Sequence, residues 1–137
     1  MTISAGLRRA VSQRAGDRCE YCGLAQAAQE ALFHVDHITP RVAKGPTVLE
    51  NLGLACVSCS LRKGARLAAT DPDTGLAADL FNPRRDRWQD HFGLHGFRIL
   101  GLTPSGRATV SALSMNRPLA LAIRREEMLR GRYPGGP

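Results

Sequence analysis

The chain has few aromatic residues, 5% of the total, and only four cysteines in 137 residues. No run approaches the roughly 18 apolar residues that cross a bilayer. The first thirty residues carry Arg8, Arg9 and Arg14 with no continuous apolar segment after them, which argues against a secretory leader. These absences predict a soluble, unexported, cytoplasmic chain with no membrane partner. Internal repeats and low-complexity linkers are also missing. Lysine is scarce: 17 of the 19 basic residues are arginine. Arginine preference of this kind can follow from a GC-rich coding sequence, so composition alone argues only weakly for a polyanionic partner.

What is present is an ordinary apolar content of 43% and a net charge of +7, with a pI near 10.1. A chain of this length buries about two-thirds of its unfolded surface, enough for one domain or a core with an appendage. The positive charge is divided between both halves, so no basic tail accounts for it.

Apolar spacing at Leu7, Ala10 and Val11, with Ser4 as cap and Gly16 as stop, predicts a helix over 5–15. Alternation in Phe33-His34-Val35-Asp36-His37-Ile38 predicts a strand that ends at Thr39-Pro40. A loop with Gly45-Pro46 as its turn follows, and Asn51 to Ala55 leads into a helix predicted over 58–69. Asp71 to Gly75 breaks the chain. Beyond it, helices are predicted over 84–92, 107–116 and 118–130, a strand over 97–100, and a frayed tail from Tyr133.

All four cysteines fall in two C-x-x-C pairs, Cys19/Cys22 and Cys56/Cys59, separated by 33 residues. Two such pairs form a tetrahedral four-thiolate zinc site, closed to substrate and structural in role. Disulfides fit poorly with an unexported chain, and neither pair sits in the strand-to-helix setting of a redox C-x-x-C.

The segment between and just after the pairs holds Asp36-His37-Ile38-Thr39-Pro40, Gly45, Asn51-Leu52 and Lys63-Gly64-Ala65-Arg66. With the zinc pairs around it, this order of residues resembles the HNH endonuclease family over about residues 17–66. The stretch Leu80 to Arg84, with Trp88, His91-Phe92 and Gly101 to Pro104, looks like the tail of a small bacterial subgroup of that family. The resemblance implies an α+β fold: a ββα-metal (HNH / His-Me finger) core clasped by the four-cysteine zinc site over 1–70, a mainly helical C-terminal extension over 71–132 and a flexible tail over 133–137.

It further implies metal-dependent hydrolysis of DNA phosphodiester bonds, giving 5′ phosphate and 3′ hydroxyl ends. Asp36 would be a ligand of a catalytic Mg²⁺ or Mn²⁺, His37 the general base, and Asn51 the brace of the loop beside His37. Arg41, Lys44, Lys63 and Arg66 would contact phosphates. RNA shares the chemistry and is a second candidate substrate.

One position departs from the family pattern. The residue after the last cysteine is commonly Asn or His, a further metal ligand; here it is Ser60. Either Ser60 binds through water, or Asn82 or His91 completes the sphere, or the chain is an inactive, zinc-stabilised nucleic-acid-binding module. His34 is expected to pack or face solvent, and Trp88 to sit in the core rather than stack on bases. In a regular strand Asp36 and His37 point to opposite faces, so both can address one phosphate only if the strand ends or twists there.

Overall fold

The computed structural model describes residues 3–135. Helix α1 spans Ala5–Arg14; Ser4 Oγ accepts the Leu7 amide at 3.2 Å, satisfying one of the helix's free donors. Its apolar face buries Val11 completely. The polar face also ties down the chain. Arg8 donates to the Phe33 carbonyl at 3.0 Å, and Arg14 donates to the carbonyls of Leu49 and Leu52.

Strand β1 (His34–His37) pairs antiparallel with β2 (Leu52–Ala55), placing Val35 opposite Leu54 and His37 opposite Leu52. The intervening loop contains two short 3₁₀ turns, Arg41–Ala43 and Leu49–Asn51. Every residue of β2 is buried. Helix α2 (Val57–Lys63) follows directly and packs across both strands.

The helix predicted over 58–69 stops at Lys63. Gly64 adopts φ +55° and ψ −134°, a conformation that side-chain-bearing residues rarely reach, and this ends the helix. The chain then forms a hairpin of β3 (Ala68–Thr70) and β4 (Ala77–Asp79), for which the predicted break at 71–75 is the turn.

Helix α3 covers only Trp88–His91 of the helix predicted over 84–92. Upstream, Asn82 Oδ1 accepts the Arg84 amide and Asp86 Oδ2 accepts the Asn82 amide, closing residues 82–86 into a turn of their own, and the extended backbone of Arg87 (φ −98°, ψ 132°) separates that turn from α3. Strands β5 (Phe92–His95) and β6 (Arg98–Gly101) form a second hairpin, and helices α4 (Pro104–Ala112) and α5 (Pro118–Leu129) complete the chain. The part expected to be mainly helical is therefore mixed, because two hairpins supply its middle.

One buried cluster joins the two halves: Val11, Tyr21, Phe33, Leu52 and Leu54 meet Phe81, Phe92, Ile99, Leu113 and Met115. Phe81 is central, edge-on to Tyr21 at 6.3 Å and to Phe92 at 5.2 Å. Trp88 packs half-buried against this core, and its Nε1 donates to the Tyr21 carbonyl at 2.7 Å. Gly106 permits the closest approach between α4 and α3, since a Cβ there would lie 2.1 Å from the His91 carbonyl oxygen. Tyr133, expected in a frayed tail, is 6% exposed. Its hydroxyl donates to the Cys22 carbonyl at 2.7 Å, so Tyr133 packs against the first cysteine pair.

Candidate active site

The four cysteines converge. Their sulfurs all lie within 4.8 Å of one another, and Cys22 Sγ is 3.8 Å from Cys56 Sγ. Zinc–thiolate bonds of about 2.3 Å define a tetrahedron with edges of about 3.8 Å, so the cluster can hold a zinc ion. The two pairs repeat one local geometry: Cys19 Sγ accepts the Cys22 amide and Cys56 Sγ accepts the Cys59 amide, each at 3.4 Å. The first pair lies in the turn after α1 and the second caps α2, so a bound ion would pin α2 against the segment leading to β1.

An open cleft beside α2 is lined by His34, Asp36 and His37 of β1, Pro40 and Arg41 of the loop, Ser60 and Gly64 of α2 and its end, and Arg8 of α1. Asp36 and His37 share this cleft although they are strand neighbours, because β1 ends at His37 and the chain turns away through Pro40.

Asp36 is almost enclosed, its side chain 9% exposed. One oxygen, Oδ2, receives the Tyr21 hydroxyl at 3.2 Å and lies 3.1 Å from Lys63 Nζ. Burial pushes the Asp36 carboxyl above its ordinary value, and the Lys63 charge opposes that shift. Its other oxygen, Oδ1, has no protein partner among the described residues.

His37 Nε2 lies 2.9 Å from Thr47 Oγ1. When Nε2–H donates to that hydroxyl, Nδ1 keeps its lone pair. Burial, and then the Arg41 charge, hold the ring's pKa below its ordinary value, which favours the neutral imidazole.

Asn51 clamps the loop. Its Oδ1 accepts the Thr39 amide at 2.9 Å, and its Nδ2 donates to the carbonyls of Thr39 (3.0 Å) and Pro46 (2.9 Å). Gly45 is required beside it, since a Cβ would lie 1.8 Å from the Thr39 carbonyl oxygen.

Several expected site residues lie elsewhere. Lys63 does not reach outward to a phosphate; it is 2% exposed and points at Asp36 and the carbonyls of His37 and Ile38. Arg66 folds back onto the carbonyls of Arg62 and Ala112. Asn82 caps its own turn, and His91 Nδ1 pairs with Thr103 Oγ1 at 2.7 Å, so neither lines the cleft. Arg41 stands at the cleft rim, and Lys44 is exposed further along the loop.

The cleft also holds residues that sequence reasoning passed over. His34, expected to pack or face solvent, sits beside Asp36 with Nδ1 2.9 Å from Ser60 Oγ. Its signal was its place two residues before Asp36 in an alternating strand, which puts both on one face. Tyr21 and Thr47 have no comparable signal, because their partners are distant in sequence.

Residues 19–66 match the family model described as HNH endonuclease. No curated protein and no solved structure matches the chain. Among the described residues, no helix is long and apolar enough to cross a membrane.

Proposed function

Taking the HNH endonuclease domain of residues 19–66 as the premise, we propose that the protein is a metal-dependent endonuclease that hydrolyses DNA phosphodiester bonds in the cleft between β1, its following loop and α2. The observation that carries this reading is the meeting of Asp36 and His37 in one open cleft, with Asn51 bracing the loop that carries the Thr47 partner of His37. In this reading β1, β2 and α2 are the ββα-metal element of a nuclease core over 1–70. Residues 71–132 buttress it through Phe81 and Trp88, and zinc in the four-cysteine site has a structural role.

Asp36 Oδ1 offers a hard carboxylate donor suited to Mg²⁺ or Mn²⁺. When bound there, such a cation offsets the charge that develops on the scissile phosphate and the leaving 3′ oxygen. The chain's own residues supply the rest. Neutral His37 takes a proton from the attacking water at Nδ1, and Thr47 holds the ring in the tautomer that allows it. Asn51 fixes the loop without touching substrate. Arg8 and Arg41 at the rim, and Lys44 beyond it, meet flanking phosphates.

The test is incubation of the zinc-loaded protein and of His37→Ala with supercoiled DNA, single-stranded DNA and RNA in Mg²⁺, Mn²⁺ or EDTA. Metal-dependent cleavage of DNA, lost in His37→Ala at unchanged zinc content, is the expected result. Preferential RNA cleavage would move the substrate class. Salt-sensitive binding without cleavage under any metal would replace the enzyme with an inactive, zinc-stabilised binding module.

A further inference from the structure

We propose that His34 is a ligand of the catalytic cation together with Asp36, and that this nitrogen-and-oxygen pair makes the cleft select Mn²⁺ over Mg²⁺. The inference rests on the reading of Asp36 as a metal ligand given above.

Ser60 carries no charge, and a serine hydroxyl is a weak donor to a divalent cation. Asn82 and His91, the other candidate donors, are engaged outside the cleft. Without a further protein ligand, a cation would rest on one carboxylate.

His34 fills that deficit by position. It stands two residues before Asp36 on β1, so both side chains leave the same face of the strand, and both line the cleft. The ring lies against α2 at Ser60, with Nδ1 2.9 Å from Ser60 Oγ. Donation from Nδ1–H to that hydroxyl leaves Nε2 deprotonated, and Nε2 has no hydrogen-bond partner among the described residues. The free Asp36 Oδ1 and the free His34 Nε2 are thus the two unengaged donor atoms of one strand face. Ser60 becomes a positioning residue, fixing the tautomer and orientation of a ligating imidazole as outer-sphere partners do.

Metal preference follows from the donors. Mg²⁺ favours oxygen ligands in near-ideal octahedral geometry, whereas imidazole suits first-row transition metals, with affinity rising from Mn²⁺ upward.

Manganese resonance on the zinc-loaded full chain tests the proposal, because zinc is silent in that measurement. The free Mn²⁺ signal gives affinity, with Mg²⁺ as competitor, and pulsed measurements detect a coordinated ¹⁴N nucleus. Wild type should show bound Mn²⁺ with a ¹⁴N modulation that survives in His37→Ala and disappears in His34→Gln. The His34→Gln variant should bind Mn²⁺ about tenfold or more weakly while Mg²⁺ affinity changes little. Ser60→Ala should retain the nitrogen signal and weaken Mn²⁺ binding by about tenfold.

Mn²⁺ binding that depends on Asp36 but shows no nitrogen coupling in wild type would overturn the role of His34 and leave the nuclease reading standing. Mn²⁺ affinity and ¹⁴N coupling unchanged in His34→Gln would do the same. Mn²⁺ binding unaffected by Asp36→Asn, or no binding at all, would overturn both. The wild-type nitrogen signal keeps the test decisive even if a variant folds poorly.

Discussion

Lys63 Nζ lies 3.1 Å from Asp36 Oδ2, and both side chains are buried. The ammonium also donates to the carbonyls of His37 (3.3 Å) and Ile38 (3.4 Å), so the last residue of α2 binds the end of β1 through charge and hydrogen bonds together. In the lysine-poor chain this lysine is an internal tie rather than a surface charge.

Replacing Lys63 by Ala leaves the buried Asp36 carboxylate without its countercharge, with the Tyr21 hydroxyl as its remaining donor, and takes the ammonium from the carbonyls of His37 and Ile38. Breaking a buried pair by removing one partner costs about 3–5 kcal/mol. Urea unfolding of the zinc-loaded Lys63→Ala variant should show a loss of that size. A loss under about 1 kcal/mol would mean that water replaces the ammonium.

Asn51→Ala removes three hydrogen bonds that hold the Thr39 and Pro46 backbone. At about 1 kcal/mol each, stability should fall by about 2–3 kcal/mol. Cleavage should fall by more than about tenfold, because Thr47 then no longer holds the His37 ring in place. Gly45→Ala should act in the same direction, by driving a Cβ into the Thr39 carbonyl. Thermal melting and initial cleavage rates on the same samples separate loss of fold from loss of geometry.

The four-cysteine cluster joins the turn after α1 to the start of α2, and the Tyr133 hydroxyl donates to the Cys22 carbonyl beside it. Apparent binding energies of structural zinc sites are about 10–16 kcal/mol, as large as the total stability of a domain, about 5–15 kcal/mol. Chelation should therefore release one zinc per chain and abolish cooperative unfolding, and Cys56→Ser should do so without chelator. Metal release with an unchanged melting curve would show that the core holds without the ion.

Asp71 is fully buried and doubly bonded to the Arg107 guanidinium, at 2.9 and 2.8 Å. The Arg107 hydrogen bonds hold its carboxyl well below the usual carboxylate range. A depressed folded-state pKa contributes stability that is full above the unfolded value near 3.9 and is lost as pH falls toward the folded one. The stability gap between wild type and Asp71→Asn should be widest at neutral pH and should narrow below about pH 4. A gap independent of pH would place the effect in packing of the β3–β4 turn.

Local signals carried much of the N-terminal half. The cap at Ser4, the alternation of 33–38 and the spacing of the cysteine pairs are properties of neighbouring residues, and the structure has α1, β1 and a converged cysteine cluster where they predicted. The helices predicted over 58–69 and 84–92 overran. The backbone conformation of Gly64 and the extended backbone of Arg87 outweighed the helix propensity around them. Of the later hairpins only one strand was legible, expected over 97–100 and found as β6 (Arg98–Gly101). Strands β3, β4 and β5 have too few alternating residues to announce themselves, and α4 packs against both β3 and β4 to hold the first hairpin.

By itself the sequence determined which chemical groups the protein has: four thiols in two pairs, Asp36 next to His37, and an asparagine and a glycine in the loop that follows. Residue type and short spacing suffice for that. Which of these groups face one another was decided only by tertiary structure. Burial turned Lys63 inward to Asp36, the end of β1 let Asp36 and His37 share a cleft, and packing of α2 on the hairpin brought Ser60 to His34. Such pairings join residues far apart in the chain, and they form because a buried charge or polar group must find a partner wherever the fold supplies one.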